Sequence, residues 1–339
     1  MTLRANHLTV LRVLLLPLPY FLLYQGIWGR VAALLIFTAL GLTDYLDGLL
    51  ARRHGATRLG KLLDPIADKI FLVVIVVCLI DLDILPFWLA IPIFLRESLV
   101  AEIRRTGIQL EVTELAKIKT TIQMAASGLM FLLDTFKSKI VLVAFLAGAE
   151  LATIFLAVAL FIRDGRLSGR MHWAIGLLGT ALVLGMTLTE RAIYLAYGSA
   201  VVIITLISGG VYFVNGIPAL FSKGRVCILR ALLTCIFPIF PLCLIQDLSH
   251  NGLWAIILIL SMEYAAQGLD AIATPFRKDL SMFKSLFIIP LAMVLLTSAK
   301  IGFPIPGIDV HMALILTVFL YAFYLVLDLI YNKDVVFLY

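Results

Sequence analysis

Apolar residues in this chain come in long continuous runs, separated by short segments that collect the lysines and arginines. The runs lie at roughly 8–24, 29–50, 64–82, 84–103, 117–134, 140–162, 171–189, 192–220, 226–246, 252–273, 281–299 and 311–331. Each is long enough to cross about 30 Å of hydrocarbon as a helix. The pattern predicts an all-α, polytopic bundle of twelve transmembrane helices. Alternate connections are basic: Arg52, Arg53, Arg58 and Lys61; then Arg104, Arg105, Lys117 and Lys119; then Arg163, Arg166 and Arg170; then Lys223 and Arg225; then Arg277 and Lys278. The other connections hold only Arg30, Lys137, Lys139, Arg191 and Lys300. By the positive-inside rule the basic connections and both termini face the cytoplasm.

Composition sharpens this reading. Of the 339 residues, 62% are hydrophobic and 14% charged, against about 25% charged in soluble domains. The net charge of +6 is spread over the connections between spans, which argues for membrane anchoring and against nucleic-acid binding. Cys78, Cys227, Cys235 and Cys243 fall within apolar runs without C-x-x-C spacing, so they read as small core residues and not as zinc ligands or disulfides. The first run follows Arg4 but shows no A-x-A-like cleavage site, and it is kept as a span.

Against this background the carboxylates between residues 44 and 68 stand out. Asp44 and Asp47 are three apart, Asp64 and Asp68 four apart, so each pair lies on one face of its helix. Two helices joined by the short basic stretch between them bring the faces together. Four carboxylates at a membrane repel one another unless cations sit among them, and hard divalent cations prefer such oxygen ligands. The pattern therefore predicts a dinuclear metal site. Taken alone, Asp64 before Pro65 would also read as an N-cap followed by a proline at the first helical position. Gly48 and Ala51 add small residues on the Asp47 face, and Gly60 does the same at the start of the return helix. Asn6, Thr9 and Arg12 share a face at the start of the first span, which a capped helix with a snorkelling arginine would also explain. Arg96 and Glu97 lie inside an apolar run and should face a polar cavity or each other.

The spacing D-x2-D-G-x2-A-R-x7-G-x3-D-x3-D, met by Asp44, Asp47, Gly48, Ala51, Arg52, Gly60, Asp64 and Asp68, resembles the signature of the CDP-alcohol phosphotransferase family. ARR at 51–53, LDPIADK at 63–69 and the Lys117 to Gln123 segment KIKTTIQ are similar to the phosphatidylglycerophosphate synthase branch. The resemblance implies that Asp44, Asp47 and Asp64 bind metal, two ions of Mg2+ or Mn2+, and that Asp68 binds metal or acts as general base. It implies that Asn6, Thr9, Arg12, Gly48, Ala51, Arg52 and Gly60 hold the donor, CDP-diacylglycerol. The acceptor in that branch is sn-glycerol 3-phosphate, and Arg96, Arg104, Arg105, Lys117 and Lys119 are the candidates for its phosphate. Phosphatidylglycerol, inositol phosphate or serine would be acceptors in neighbouring branches. The implied setting is a bacterial inner membrane with the site facing the cytoplasm, membrane lipid as a partner, and a homodimer among the possible assemblies. An ion-coupled carrier is the contrasting class; its ions belong near the bilayer midplane, whereas these carboxylates lie at the cytoplasmic end of spans two and three.

The resemblance covers residues 1–165, six spans. RDGRLSGR at 163–170 reads as a linker to a second membrane domain, 166–339, with six further spans. A faint internal echo links the halves: VLRVLLLPLPYFLLYQ at 10–25 with ILRALLTCIFPIFPLCLIQ at 228–246, and TDYLDGLLA at 43–51 with MEYAAQGLDAIA at 262–273. In this alignment Gln267 stands where Asp47 does, and no paired aspartates follow Gly268. The second half is thus expected to hold no phosphotransferase centre.

Overall fold

The computed structural model describes residues 5–54, 58–107, 114–166, 168–272, 280–301 and 309–331. Within these, the side chains of residues 5–8, 44–54, 58–62, 114, 117, 164, 170, 211, 215, 251, 271 and 272 lie outside the description. All twelve apolar runs are helical, and no strand occurs among the described residues. The first run is broken at Leu16 into α1 (Ala5–Leu15) and α2 (Pro17–Leu22). Pro17 and Pro19 lack a backbone N–H and favour the first turn of a new helix over continuation of the old one. Then follow α3 (Gly26–His54), α4 (Arg58–Asp81), α5 (Phe87–Arg105), α6 (Glu114–Phe136) and α7 (Lys139–Asp164). Gly165 ends α7 in the left-handed region at φ 69°, where the absence of a Cβ removes the steric cost.

The second half continues with α8 (Gly169–Thr187) and α9 (Glu190–Ser222). It then repeats a proline-broken element, α10 (Arg225–Ile236) and α11 (Ile239–Leu242), separated at Phe237 and Pro238. After α12 (Leu253–Ile272), the segment α13 (Ser281–Phe283) passes through a π-helical stretch, Lys284–Ile288, into α14 (Ile289–Ile301), and α15 (Val310–Tyr331) closes the described chain. Among the described residues seven helical stretches are long and apolar enough to cross a membrane, so this is an integral membrane protein. Helices α4, α5 and α6 have spanning length, but polar residues at one end lower their hydropathy.

Helix α4 is the axis of the bundle. Every residue from Phe71 to Ile80 is buried, because α1 packs along one flank and α12 along another. Helix α9 lies across α5 and α6. The α7–α8 pair is peripheral, and Phe155 and Ile162 there are each 78% exposed, as lipid-facing side chains should be. Lipid tails are as apolar as leucine, so close van der Waals fit and buried polar contacts must hold such helices together. Gly216 of α9 meets Ile103 of α5 so closely that a Cβ would fall 2.2 Å from Ile103 Cγ2. Gly268 of α12 does the same to Ile66 of α4, at 2.5 Å from Cγ1. At one end of the bundle Tyr24 donates to Asp81 Oδ2 at 2.6 Å and His250 Nδ1 lies 2.9 Å from the same oxygen, tying α4 to the second half. The charged site residues gather at the other end.

Candidate active site

Asp64 and Asp68 occupy one face of the first turns of α4, one helical turn apart. The contact between α1 and α4 sets two polar side chains against them. Thr9 Oγ1 donates to Asp64 Oδ1 at 2.9 Å, and Arg12 Nη1 donates to Asp68 Oδ1 at 2.8 Å. Thr9 and Arg12 are 1% and 3% exposed, whereas the Asp68 side chain keeps 47% of its accessible surface. The carboxylate is therefore gripped from the buried side while about half of its surface stays accessible. The spacing of three on α1 meets the spacing of four on α4, so two successive turns are matched. Thr9 and Arg12 are thus buried against α4, each bonded to one of its carboxylates.

Asp44 and Asp47 lie on α3, about 27 and 32 Å along its length from Gly26 at 1.5 Å per residue. Those distances place them at the end of the helix nearest the start of α4. Their side chains, and those of Asn6, Gly48, Ala51, Arg52, Gly60 and Lys117, lie outside the described ones. Among the described residues no three histidine, cysteine or acidic side chains converge as a metal site. Asp64 and Asp68 supply only half of the expected cage. Their chemistry fits a hard divalent cation: two carboxylates at adjacent turns, one of them half exposed.

Next to this pair is a second group of charges. Glu97 on α5 accepts from Arg96 Nη1 at 2.9 Å and from Lys119 Nζ at 2.7 Å. All three are buried, so the charged pair foreseen at Arg96 and Glu97 forms and recruits Lys119 from α6. Lys69, directly after Asp68, is close enough to couple electrostatically with Glu97, Arg96 and Lys119. Its Nζ lies 5.1 Å from the centre of the Tyr264 ring. Two cations bond to one carboxylate, with Lys69 within electrostatic range of it. Lys69 was not among the expected phosphate-binding residues, although its place in LDPIADK was a signal for it.

The remaining candidates divide. Arg104 is exposed. Arg105 points into the second half instead of toward Glu97: its Nη1 reaches Asp270 Oδ2 at 3.3 Å and Glu102 Oε1 at 3.5 Å, and its Nη2 donates to Ser281 Oγ. Glu102 also accepts from Arg230 Nε at 3.0 Å. Lys284 Nζ donates to Glu263 Oε1 at 2.9 Å and lies 4.0 Å from Asp270. The side chains of these six charged residues are 7% exposed or less. Among the described residues they link three cations and three carboxylates drawn from both halves.

Comparison with known proteins identifies the family of the first half. The family model for CDP-alcohol phosphatidyltransferase matches residues 2–163. The chain is 36% identical over 162 residues to a Mycobacterium tuberculosis protein named "Probable phosphatidylglycerophosphate synthase", covering 45% of this chain and 78% of that one. It is 37% identical over 130 residues to the CDP-diacylglycerol--glycerol-3-phosphate 3-phosphatidyltransferase of Escherichia coli K12, covering 35% of this chain and 71% of that one. A Cereibacter sphaeroides protein of the same name is 39% identical over 137 residues, 38% of this chain and 62% of its own length. No solved structure matches the chain.

Proposed function

The chain belongs to the CDP-alcohol phosphatidyltransferase family, and from that premise we propose that it transfers the phosphatidyl group of CDP-diacylglycerol to sn-glycerol 3-phosphate. The products are phosphatidylglycerophosphate and CMP. The observation that carries the choice of acceptor is the charge imbalance of Lys69, Arg96 and Lys119 around Glu97. Buried cations in excess call for an anion, and a phosphate monoester supplies one within reach of Asp68. Relatives named for this reaction support the same reading.

Two divalent ions, Mg2+ or Mn2+, held by Asp44, Asp47, Asp64 and Asp68 would neutralise the donor diphosphate and the charge that grows on departing CMP. Thr9 and Arg12 fix the Asp64 and Asp68 carboxylates through their inner oxygens. Asp68 takes the proton of the acceptor hydroxyl, which attacks the phosphatidyl phosphorus as the bond to CMP breaks. Arg52, with Asn6, Gly48, Ala51 and Gly60, lines the donor side. The acceptor phosphate lies against Arg96, Lys119 and Lys69, with Lys117 and Arg104 at the rim. By the distribution of basic connections the site faces the cytoplasm, in a bacterial inner membrane.

The test is CMP release by purified protein given CDP-diacylglycerol, magnesium or manganese, and a panel of acceptors. Release with glycerol 3-phosphate and not with serine, inositol phosphate or phosphatidylglycerol is the expected result. Efficient transfer to serine alone would remove the phosphate-binding role of the Glu97 group.

A further inference from the structure

Helix α12 of the second half packs against both α4 and α5, and it does so beside the turn of α4 that carries Asp68 and Lys69. Gly268 sits on Ile66, about one turn before Lys69, so closely that a Cβ there would fall 2.5 Å from Ile66 Cγ1. One turn earlier on α12 stands Tyr264, 1% exposed. Its hydroxyl donates to Phe94 O at 3.2 Å and lies 3.4 Å from Ser98 Oγ, both on α5. Gln267 Nε2 donates to the same Ser98 Oγ at 3.5 Å, and Ser98 directly follows Glu97. The ring is thereby anchored on α5 through its hydroxyl, and its face is left for α4: Lys69 Nζ lies 5.1 Å from the ring centre.

That distance is within the roughly 6 Å at which an aromatic face attracts an ammonium. The choice of an aromatic matters here. Lys69 stands within electrostatic range of Arg96, Arg104 and Lys119, which repel it, and of Glu97, which attracts it. Glu97 already bonds to Arg96 and Lys119. A second carboxylate in place of Tyr264 would hold Lys69 more strongly, but it would cancel the positive charge that a phosphate needs. A ring face attracts the ammonium through its quadrupole and adds no negative charge. It steadies Lys69 among like charges and leaves that charge available to a ligand.

We propose that Tyr264 is a positioning residue for the acceptor: it holds the Lys69 ammonium toward the phosphate of glycerol 3-phosphate, so that the second membrane half completes a site whose other residues lie in the first. The family model matches residues 2–163, and this ring lies well beyond them. The inference rests on the acceptor reading proposed above. Its signature is a change in acceptor use that passes through Lys69.

The experiment uses the purified full-length chain and reads initial CMP release against glycerol 3-phosphate and against CDP-diacylglycerol. Tyr264→Leu removes the ring face, and KM for glycerol 3-phosphate should rise about 3- to 30-fold, the range of a cation–π contact from exposed to desolvated. The donor KM and kcat should change little. Tyr264→Phe keeps the face and loses only the hydroxyl, and its acceptor KM should stay near the wild-type value. Ring-trifluorinated phenylalanine at the same position, introduced by amber suppression, keeps the shape of Phe and depletes the negative face. It should match Tyr264→Leu in acceptor KM while melting like Tyr264→Phe, which keeps the proposal testable should the leucine variant fail to fold. In a Lys69→Met background, loss of the ring should raise the acceptor KM no further. Equal acceptor KM in Tyr264→Phe and its fluorinated counterpart would overturn the proposal. So would a further rise in the Lys69→Met background, or a rise of the donor KM by the same factor. Absence of CMP release by the wild type with glycerol 3-phosphate would overturn the acceptor reading and this inference with it, whereas normal release by the wild type and unchanged KM in every variant would overturn this inference alone.

Discussion

Two groups of buried charge lie at the same end of this bundle, and they differ in one respect. Around Glu97, cations outnumber carboxylates among the described residues, since Arg96 and Lys119 both bond to it. Among the described residues, the group formed by Glu102, Arg105, Arg230, Glu263, Asp270 and Lys284 pairs three cations with three carboxylates. Buried ions that pair with one another meet their own desolvation cost, whereas an excess of one sign favours a counter-ion from outside. On the function proposed above, that counter-ion is the acceptor phosphate. The balanced group joins α5 to α10, α12 and α13, and so reads as a tether between halves.

Substitutions can break this contrast or sharpen it. The largest effect is expected at Asp68. Asp68→Asn keeps the size and removes the basicity, and turnover measured by CMP release should fall about 10²- to 10⁴-fold; near-normal activity would take Asp68 out of the mechanism. Next comes Arg230→Met, which leaves Glu102 buried with one cation fewer. Breaking a buried pair from one side costs about 3–5 kcal/mol, so thermal unfolding in detergent should reveal a large loss of stability. Unchanged melting would mean that the balanced group does not join the halves. Lys119→Met should be milder and of another kind. Losing one charge-assisted contact costs about 1.5–3 kcal/mol, expected as a raised KM for glycerol 3-phosphate with donor KM unchanged and melting little altered. If both substrates suffer equally, the Glu97 group serves the donor. Smallest is Thr9→Val, which removes one hydrogen bond to Asp64, worth about 1–2 kcal/mol where the acceptor is charged. It should raise the manganese concentration needed for half-maximal CMP release several-fold, and an unchanged metal requirement would mean that Asp64 is held without it.

Much of this was legible along the chain. The twelve apolar runs are helical, some of them broken into successive elements, and the pairing of Arg96 with Glu97 followed from the cost of leaving either charge alone in an apolar run. The Asp64–Asp68 face was legible too, because spacing within one helix maps directly onto geometry. Contacts between helices far apart in sequence were not. Nothing in the order of residues says that Arg230 meets Glu102, 128 positions away, or that Arg105 turns from the acceptor candidates toward Asp270. Nor could spacing reveal the π-helical stretch at Lys284, since it arises from backbone hydrogen bonding within α13–α14 and not from a hydrophobic period.

The burial of α4 sets how a two-tailed lipid donor can reach the site. With α12 pressed against Ile66 through Gly268, one side of the Asp64–Asp68 turn is walled off by protein. On the opposite flank stands α1, whose Val10, Leu11 and Leu14 are 45%, 47% and 69% exposed. On the proposed function, the donor's acyl chains would lie along that apolar strip while its head group turns inward past Arg12. Among the described residues the α1 flank is thus the lateral doorway. Glycerol 3-phosphate, which has no tails, would come instead from the aqueous end, so donor and acceptor would approach Asp68 from different phases.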